Sequence, residues 1–253
     1  PDSWLASETD LRRVRGFWHV FDAHCRFSFI CSITLEVGDV FMGVFHRAFP
    51  FAGKGLTMFG TRHAVVVTHS RLRESGTVVE EAVGQLTQAG FEVSIIDNIE
   101  APDFGKQPPV VSERTEIVVV LGGDGTILRA AELVHCTSVP ILGVNLGHVG
   151  FLAEFESFQM SEAIRRVAEH DYSIDERMIA HVDVWLPGAS EPIEDWALND
   201  ITLERADRGK MVELSIRVDD VEMSSFGCDG VIVSTPTGST AYAFSRSEEH
   251  TSE

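Results

Sequence analysis

One acidic side chain stands among glycines in the stretch Gly122-Gly123-Asp124-Gly125-Thr126. The β-branched and apolar residues that precede it, Ile117 to Leu121, predict a buried strand. Glycines permit positive φ angles and let a ligand approach the backbone closely. A helix is expected from Thr126 to Val134, with Thr126 as its cap and with an N-terminus that favours an anion. The turn is therefore predicted to hold a phosphate beside Asp124; a tight turn without a ligand is the alternative.

The chemistry of this turn differs from that of the common nucleotide loops. It matches neither G-x-x-x-x-G-K-[ST] nor G-x-G-x-x-G, and it offers a carboxylate where a Walker loop offers a lysine. Two neighbouring anions need a metal ion or a proton, and Mg²⁺ carried by the phosphates meets that need. Asp124 is the best candidate for a general base, because a placed carboxylate can take the proton of a hydroxyl nucleophile. No side chain is assigned as a metal ligand.

A second turn of small residues follows a predicted strand that begins after Cys228. Pro236 and Gly238 fix this turn, and Thr237, Ser239 and Thr240 offer hydroxyls and backbone amides. Taken alone, the stretch could be a capped helix entry.

Asn199 and Asp200 are two polar residues inside a predicted strand from Trp196 to Leu203. Buried polar groups need partners, so the pair occupies a turn or a sheet edge, or it contacts the hydroxyls of a ligand. Asn and Asp suit a ribose diol, which both donates and accepts hydrogen bonds.

Together these stretches resemble the NAD kinases, which phosphorylate the adenosine 2′-hydroxyl of NAD with ATP or polyphosphate as donor. The resemblance covers about Arg62 to Ser245 and rests on Gly122 to Thr126, Leu142 to Gly147, Gly150 to Leu152, Leu198 to Asp200, and Asp229 to Tyr242. Diacylglycerol and sphingoid lipid kinases share the first motif. The stretch from Ser234 to Tyr242 is far more specific to the NAD kinases.

The resemblance implies roles for individual residues. Asp124 is the implied base, and Asn199 and Asp200 are implied to hold a ribose; the family usually has Asn-Glu there, so the shorter acid loses some reach. Arg129 has an alternative as a solvated helix residue, and His148 is more often solvated than a ligand contact. The further residues implied to bind nucleotide are Gly122, Gly123, Gly125, Thr126, Arg129, Asn145, Lys210, Asp229, Thr237, Gly238, Ser239, Thr240, Ala241 and Tyr242.

The elements that must position these residues fall into two domains. Predicted strands at His63 to Thr68, Phe91 to Ile96 and Pro140 to Val144 alternate with helices, which is typical of a Rossmann-like α/β domain with a parallel sheet, here residues 58–155. Ligands of such sheets bind at the carboxyl ends of the strands. Residues 156–245 are rich in predicted strands and are expected to form an incomplete all-β domain that binds the dinucleotide.

Both ends of the chain are expected to be foreign to the domains. Residues 1–57 are aromatic without a clean period, so they are predicted to be a non-native or disordered extension, with Met58 as the native start. The last eight residues, Arg246 to Glu253, are the translation of a common sequencing-adapter read. Because the family's β domain continues beyond this point, the chain as written is expected to be weak or inactive.

Composition and net charge limit the kinds of partner that the protein is expected to bind. A net charge of −19 argues against a nucleic-acid binder. The four cysteines show no zinc spacing and are interpreted as free thiols of a cytoplasmic protein, and no stretch predicts a membrane partner. The resemblance implies NAD as substrate, ATP or polyphosphate as donor, Mg²⁺ or another divalent cation, and a homodimer or homotetramer. A lipid kinase and a non-catalytic NAD-binding protein are the alternatives.

Overall fold

The computed structural model describes residues 28–37, 40–48, 61–69, 77–97, 111–112, 114–135, 137–146, 152–153, 155–207 and 209–247. The chain divides into two compact units. One, the α/β unit, comprises residues 51–102 and 107–175, and the other, the β unit, comprises residues 1–50, 103–106 and 176–253.

The α/β unit contains a five-stranded parallel sheet in the order β4-β3-β5-β6-β7. Its strands are β3 (Arg62–Thr68), β4 (Phe91–Asp97), β5 (Thr115–Leu121), β6 (Ile141–Asn145) and β7 (Phe155–Glu156). Its helices are α1 (Thr77–Gln88), α2 (Asp124–Val134) and α3 (Met160–Glu169). The predicted Rossmann-like parallel sheet is confirmed.

The central strand β5 is buried on both faces. Val119 and Leu121 enter one core together with residues of α1 and α3, whereas Val118 and Val120 enter a second core with residues of α2. This double burial explains the uninterrupted apolar run that the sequence shows here.

Arg62, at the start of β3, ties α3 to the sheet. Its guanidinium binds both carboxylate oxygens of Glu116 on β5 and lies 4.0 Å from the ring centroid of Phe91. It also donates to the carbonyl oxygens of Val167 and Ala168, at 3.1 and 2.9 Å. The last carbonyls of a helix lack intrahelical partners, so these bonds satisfy the end of α3. α3 thus belongs to the α/β unit, which ends at residue 175, and the domain bounds expected from the sequence stay predictions.

The β unit contains two antiparallel sheets that share one core. The larger has the order β12-β11-β1-β2-β8-β9, and β10 pairs with β13 in the smaller. The strands are β1 (Ser28–Val37), β2 (Val40–Ala48), β8 (Ile179–Trp185), β9 (Ile193–Ala197), β10 (Asp200–Glu204), β11 (Val212–Val218), β12 (Val221–Cys228) and β13 (Gly230–Ser234). Buried side chains of both sheets, among them Val44, Val182, Leu214, Ile201 and Val233, form the core. The predicted all-β domain is confirmed.

Residues 28–48 form a β hairpin, although they lie in the segment predicted to be a non-native or disordered extension. β1 pairs with β11, β2 pairs with β8, and Leu35 and Met42 are buried in the core. The segment holds two strands that pair with each other, which is why it lacks the period of a single element. Residues 1–27 and 49–60, with Met58, lie outside the described residues.

A short helix α4 (Tyr242–Ser247) ends the described chain. The predicted adapter segment therefore contributes Arg246 and Ser247 to α4, and residues 248–253 lie outside the described residues. Cys228 is a free thiol. Among the described helices, none combines the length and the apolar character needed to cross a membrane.

Gly84 in the middle of α1 provides a test of the helix packing. A Cβ atom built at Gly84 meets no atom within 4 Å, so Gly84→Ala should stabilise the protein by about 0.5–1 kcal/mol in urea unfolding. Gly143→Ala is the contrasting variant, because its Cβ would lie 2.7 Å from Ile127 Cδ1 and 3.2 Å from Ala153 Cα. Gly143→Ala should destabilise the protein, and equal effects of the two changes would contradict the packing described.

Candidate functional site

The glycine-rich turn lies at the carboxyl end of β5, where α2 begins. The helix starts at Asp124 with Gly123 as its N-cap, so the prediction of a helix capped by Thr126 is wrong. Thr126 is already inside the helix, and its N–H donates to the Gly123 carbonyl at 2.9 Å. The helix thus begins two residues earlier than predicted, and Asp124 is its first residue.

The three glycines of this turn matter because they lack a Cβ atom, and not because of unusual backbone angles. Among the described glycines only Gly90 and Gly188 have positive φ, so this turn does not use the positive φ angles that glycine permits. A Cβ atom at Gly122 would lie 2.7 Å from Thr126 Oγ1, which explains why the position is glycine. At Gly123 and Gly125 a Cβ atom would meet no atom within 4 Å, so the space in front of the helix is left open for a ligand.

The Asp124 carboxylate is held in one orientation. Its Oδ1 atom accepts a hydrogen bond of 3.0 Å from the backbone N–H of Leu152, a residue that follows the β6 loop. The first N–H groups of a helix have no intrahelical acceptors, and the helix dipole favours negative charge there. The arrangement therefore supplies an oriented carboxylate beside backbone donors that suit a phosphate.

Two further polar residues end strands at the same edge of the sheet. Asn145 ends β6 and is buried, as is Thr68 at the end of β3. Thr68 Oγ1 has no hydrogen-bond partner among the described residues, which is unusual for a buried hydroxyl. Thr68 was not singled out from the sequence. The one feature of the sequence that could have indicated it is its position at the end of a predicted strand of the parallel sheet.

Arg129 lies further along α2. Its Nη1 atom is 3.1 Å from Glu132 Oε1, so Arg129 forms an ion pair within its own helix. The expectations from the sequence were a nucleotide contact or a solvated side chain, but not this ion pair. Burial raises the pKa of Glu132, and the nearby Arg129 opposes this shift. His148 lies outside the described residues.

The prediction that Asn199 and Asp200 lie inside one strand is wrong. β9 ends at Ala197 in the larger sheet and β10 begins at Asp200 in the smaller one, so Leu198 and Asn199 join the two sheets. Asn199 Oδ1 is buried and has no hydrogen-bond partner among the described residues. Burial raises the pKa of the Asp200 carboxyl. The unpartnered Asn199 Oδ1 atom is available to accept a hydrogen bond from a ligand.

The turn after β13 is fastened to this junction by backbone and hydroxyl contacts. Thr235 N–H donates to the Asn199 carbonyl at 2.8 Å, and Thr235 Oγ1 donates to the Leu198 carbonyl at 2.5 Å and accepts from Gly238 N–H at 3.1 Å. A Cβ atom at Gly238 would come within 1.9 Å of the Asn199 carbonyl oxygen, so only glycine fits. Thr235 was not predicted as a site residue, yet it brings Gly238 to Asn199.

The remaining predicted residues of the β unit lie in this turn or in other loops, and most of them contact neighbouring protein groups. Thr237 precedes a 3₁₀ turn formed by Gly238–Thr240, Ala241 N–H donates to the Gly238 carbonyl at 2.9 Å, and Ser239 Oγ donates to the Pro236 carbonyl at 2.8 Å. Tyr242 OH donates to Glu204 Oε1 at 3.2 Å and accepts from Arg246 Nε at 2.7 Å. Asp229 Oδ1 lies 2.9 Å from Arg205 Nη1, and Lys210 lies on the exposed loop between β10 and β11.

Two family models match the chain. Residues 77–172 match the ATP-NAD kinase N-terminal domain, and residues 198–252 match the ATP-NAD kinase C-terminal domain. Together they cover more than half of the chain, in the order expected. The chain belongs to the NAD kinase family.

Relatives and a solved structure agree with this assignment. The chain is 88% identical over 184 residues to a NAD kinase of Bifidobacterium longum subsp. infantis, covering 73% of this chain and 54% of that protein. It is 50% identical over 195 residues to a NAD kinase of Corynebacterium diphtheriae, covering 73% and 62%. A yeast NADH kinase solved with NADH has the same fold, with a TM-score of 0.58 at 22% identity over 79% of this chain and 63% of that chain. The chain thus spans about half the length of the first of these relatives.

Thr235→Val tests the contact between the turn and the junction. Valine keeps the shape but leaves the Leu198 carbonyl without its donor and the Gly238 N–H without its acceptor, so a loss of about 1–3 kcal/mol in denaturant unfolding is expected. Thr235→Ser keeps the hydroxyl and should retain most of the stability that Thr235→Val loses. If valine and serine behave alike, the hydroxyl does not hold the turn.

Asp200→Asn tests the burial of this carboxyl through pH. The raised pKa of Asp200 means that the folded state holds the proton more tightly than the unfolded state. As pH rises from the ordinary range of an unfolded Asp through the folded pKa, the wild type loses stability that the asparagine variant keeps. The melting temperatures should coincide in acid and separate by pH 7, with that of the variant higher. Asp220→Asn, an exposed position, is the control; a gap independent of pH would contradict the assignment.

Proposed function

We propose that the protein transfers a phosphoryl group from ATP or polyphosphate to the adenosine 2′-hydroxyl of NAD, which gives NADP. The observation that carries the proposal is the Asp124 carboxylate, oriented by the Leu152 N–H within the first turn of a helix at the carboxyl end of a parallel sheet. Membership of the NAD kinase family supports the same reaction.

In the proposed reaction Asp124 acts as the general base. Its carboxylate takes the proton of the 2′-hydroxyl while that oxygen forms a bond to the γ-phosphorus of ATP, and the bond from this phosphorus to the β–γ bridging oxygen breaks to release ADP. The Leu152 N–H fixes one carboxylate oxygen and thereby the direction of the other. Since phosphoryl transfer depends mainly on positioning and charge neutralisation, an oriented base suits it.

The open space at Gly123 and Gly125 fits a donor phosphate that carries Mg²⁺ or another divalent cation. When bound, the ion would neutralise charge on the phosphate oxygens. The phosphates supply its oxygen ligands in this proposal, and Asp124 is the nearby carboxylate on the protein. The helix N-terminus and the backbone of Gly122 to Thr126 would bind the remaining phosphate oxygens.

The β unit would bind the dinucleotide. Asn199, with its unpartnered buried oxygen, and Asp200 would accept hydrogen bonds from ribose hydroxyls. The turn from Thr237 to Tyr242 and Asp229 would line the pocket of the second nucleotide half, with Lys210 as a further contact. Within the α/β unit, Asn145 and Arg129 would be further nucleotide contacts. A cytoplasmic location and assembly as a homodimer or homotetramer belong to the same proposal.

The test is NADP formation from NAD and magnesium ATP by the protein expressed from its own gene, compared with its Asp124→Asn variant. Asparagine keeps an oxygen for the Leu152 N–H but is no base, so turnover should fall by about 100-fold or more while NAD affinity stays within about threefold. Asp171→Asn, an exposed change in the same unit, controls for the loss of one negative charge.

Distinct outcomes would reject distinct parts of this proposal. Lipid phosphorylation without NADP formation would replace the reaction with that of a lipid kinase. NAD binding without any turnover in the wild type would leave a binding protein, and full activity in Asp124→Asn would remove Asp124 as the base.

A further inference from the structure

Three potential metal ligands lie together on the face of the larger sheet that points away from the shared core. Ala180 and Val182 of β8 are buried in that core, so the alternating residues His181 and Asp183 occupy the opposite face. Glu194 on β9 pairs directly with Asp183, which places its side chain on the same face. None of these residues takes part in the proposed phosphoryl transfer.

Their ligand atoms converge. One atom from each of His181, Asp183 and Glu194 can be chosen so that all three lie within 4.8 Å of one another. His181 Nε2 is 2.9 Å from Asp183 Oδ1. Two tetrahedral ligands, each about 2.1 Å from one ion, would be about 3.4 Å apart, so binding requires these two atoms to separate by only about 0.5 Å.

The short contact is not a well-formed hydrogen bond. Asp183 Oδ1 is inaccessible to solvent and has no hydrogen-bond partner among the described residues, even with the imidazole nitrogen 2.9 Å away. A buried carboxylate oxygen in this state carries an unmet demand for positive charge. The His181 side chain is itself about nine-tenths buried, so its position is set by the sheet and not by solvent.

The charges around the cluster are also unbalanced. Asp183 and Glu194 face each other on adjacent antiparallel strands, an arrangement that destabilises a sheet when both side chains carry the same charge. Among the side chains that the structure describes, which do not include that of Arg47 on β2, no lysine or arginine forms an ion pair with either carboxylate. A divalent cation would offset both negative charges at once.

We propose that His181, Asp183 and Glu194 form a binding site for a divalent transition-metal ion, of which Zn²⁺ is the leading candidate. One imidazole nitrogen with two carboxylates is a ligand set that suits Zn²⁺, Mn²⁺, Fe²⁺ or Co²⁺, and the imidazole disfavours Mg²⁺ and Ca²⁺. Three protein ligands leave room for at least one water molecule.

Binding would have a structural consequence that can be measured. β9 lies at the edge of the larger sheet and is bonded there to β8 alone. An ion held by two residues of β8 and one of β9 would join these strands by a side-chain link. Opening of the edge strand should therefore become rarer, and amide hydrogen exchange in Ile193–Ala197 should slow when the ion binds.

The experiment uses untagged, nucleotide-free protein titrated with Co²⁺ and followed by visible absorption, with Zn²⁺ as competitor. One Co²⁺ per chain should give a saturating band that Zn²⁺ removes, and Asp183→Asn and Glu194→Gln should each weaken binding about tenfold or more. Glu194 is exposed, so its variant tests the site without disturbing the core. Glu222→Gln on the exposed strand β12 is the matched control and should bind as the wild type does.

Hydrogen exchange with and without Zn²⁺ gives a second readout. Slower exchange in β9 of the wild type, absent in Glu194→Gln and absent when Mg²⁺ replaces Zn²⁺, is the expected result. Equal Co²⁺ affinity in the wild type and Glu194→Gln, or exchange in β9 that Zn²⁺ leaves unchanged, would overturn the proposal and leave an ordinary histidine–carboxylate contact.

Discussion

The close approach of the Gly238 backbone to the Asn199 carbonyl is the constraint on which the candidate dinucleotide site depends. No side chain fits between them, and the Thr235 hydroxyl bonds to both sides of the contact. The apolar pairs Ile201–Val233 and Leu203–Val231 of β10 and β13 set the register that brings these backbones together. A slip of one residue would turn this apolar set away from the core and separate the turn from Asn199.

Both candidate sites follow the same physical rule. In each, a glycine makes room for a neighbouring residue at a turn beside the end of a strand, and a polar side chain lies at or next to that turn. Gly122 makes room for Thr126 in the α/β unit as Gly238 makes room for Asn199 in the β unit. Asp124 is oriented by the Leu152 N–H, which suits the proposed general base. The Asn199 side-chain oxygen has no hydrogen-bond partner in the part of the chain that the structure describes, which suits recognition of a ligand.

The parts of this structure that could be predicted are those decided by local pattern. The apolar run at β5, the alternation of strands and helices, and the two small-residue turns indicated the fold and both sites. Long-range contacts decided the rest. The break of the predicted strand at Leu198–Asn199 depends on bonds from Thr235, and α3 joins the α/β unit through Arg62. Residues 28–48 lack a helical or single-strand period, and only their pairing with β8 and β11 makes them strands.

The nesting of one unit within the other bears on the order of folding during synthesis. Arg62 must wait for its acceptor at Val167, which is 105 residues later in the chain, and the α/β unit is then complete by residue 175. The hairpin of β1 and β2 leaves the ribosome before the α/β unit but bonds to β8 and β11, which are synthesised after that unit. A nascent hairpin of β1 and β2 therefore lacks both of its neighbouring strands while the α/β unit is synthesised, and unpaired strand edges of this kind favour aggregation.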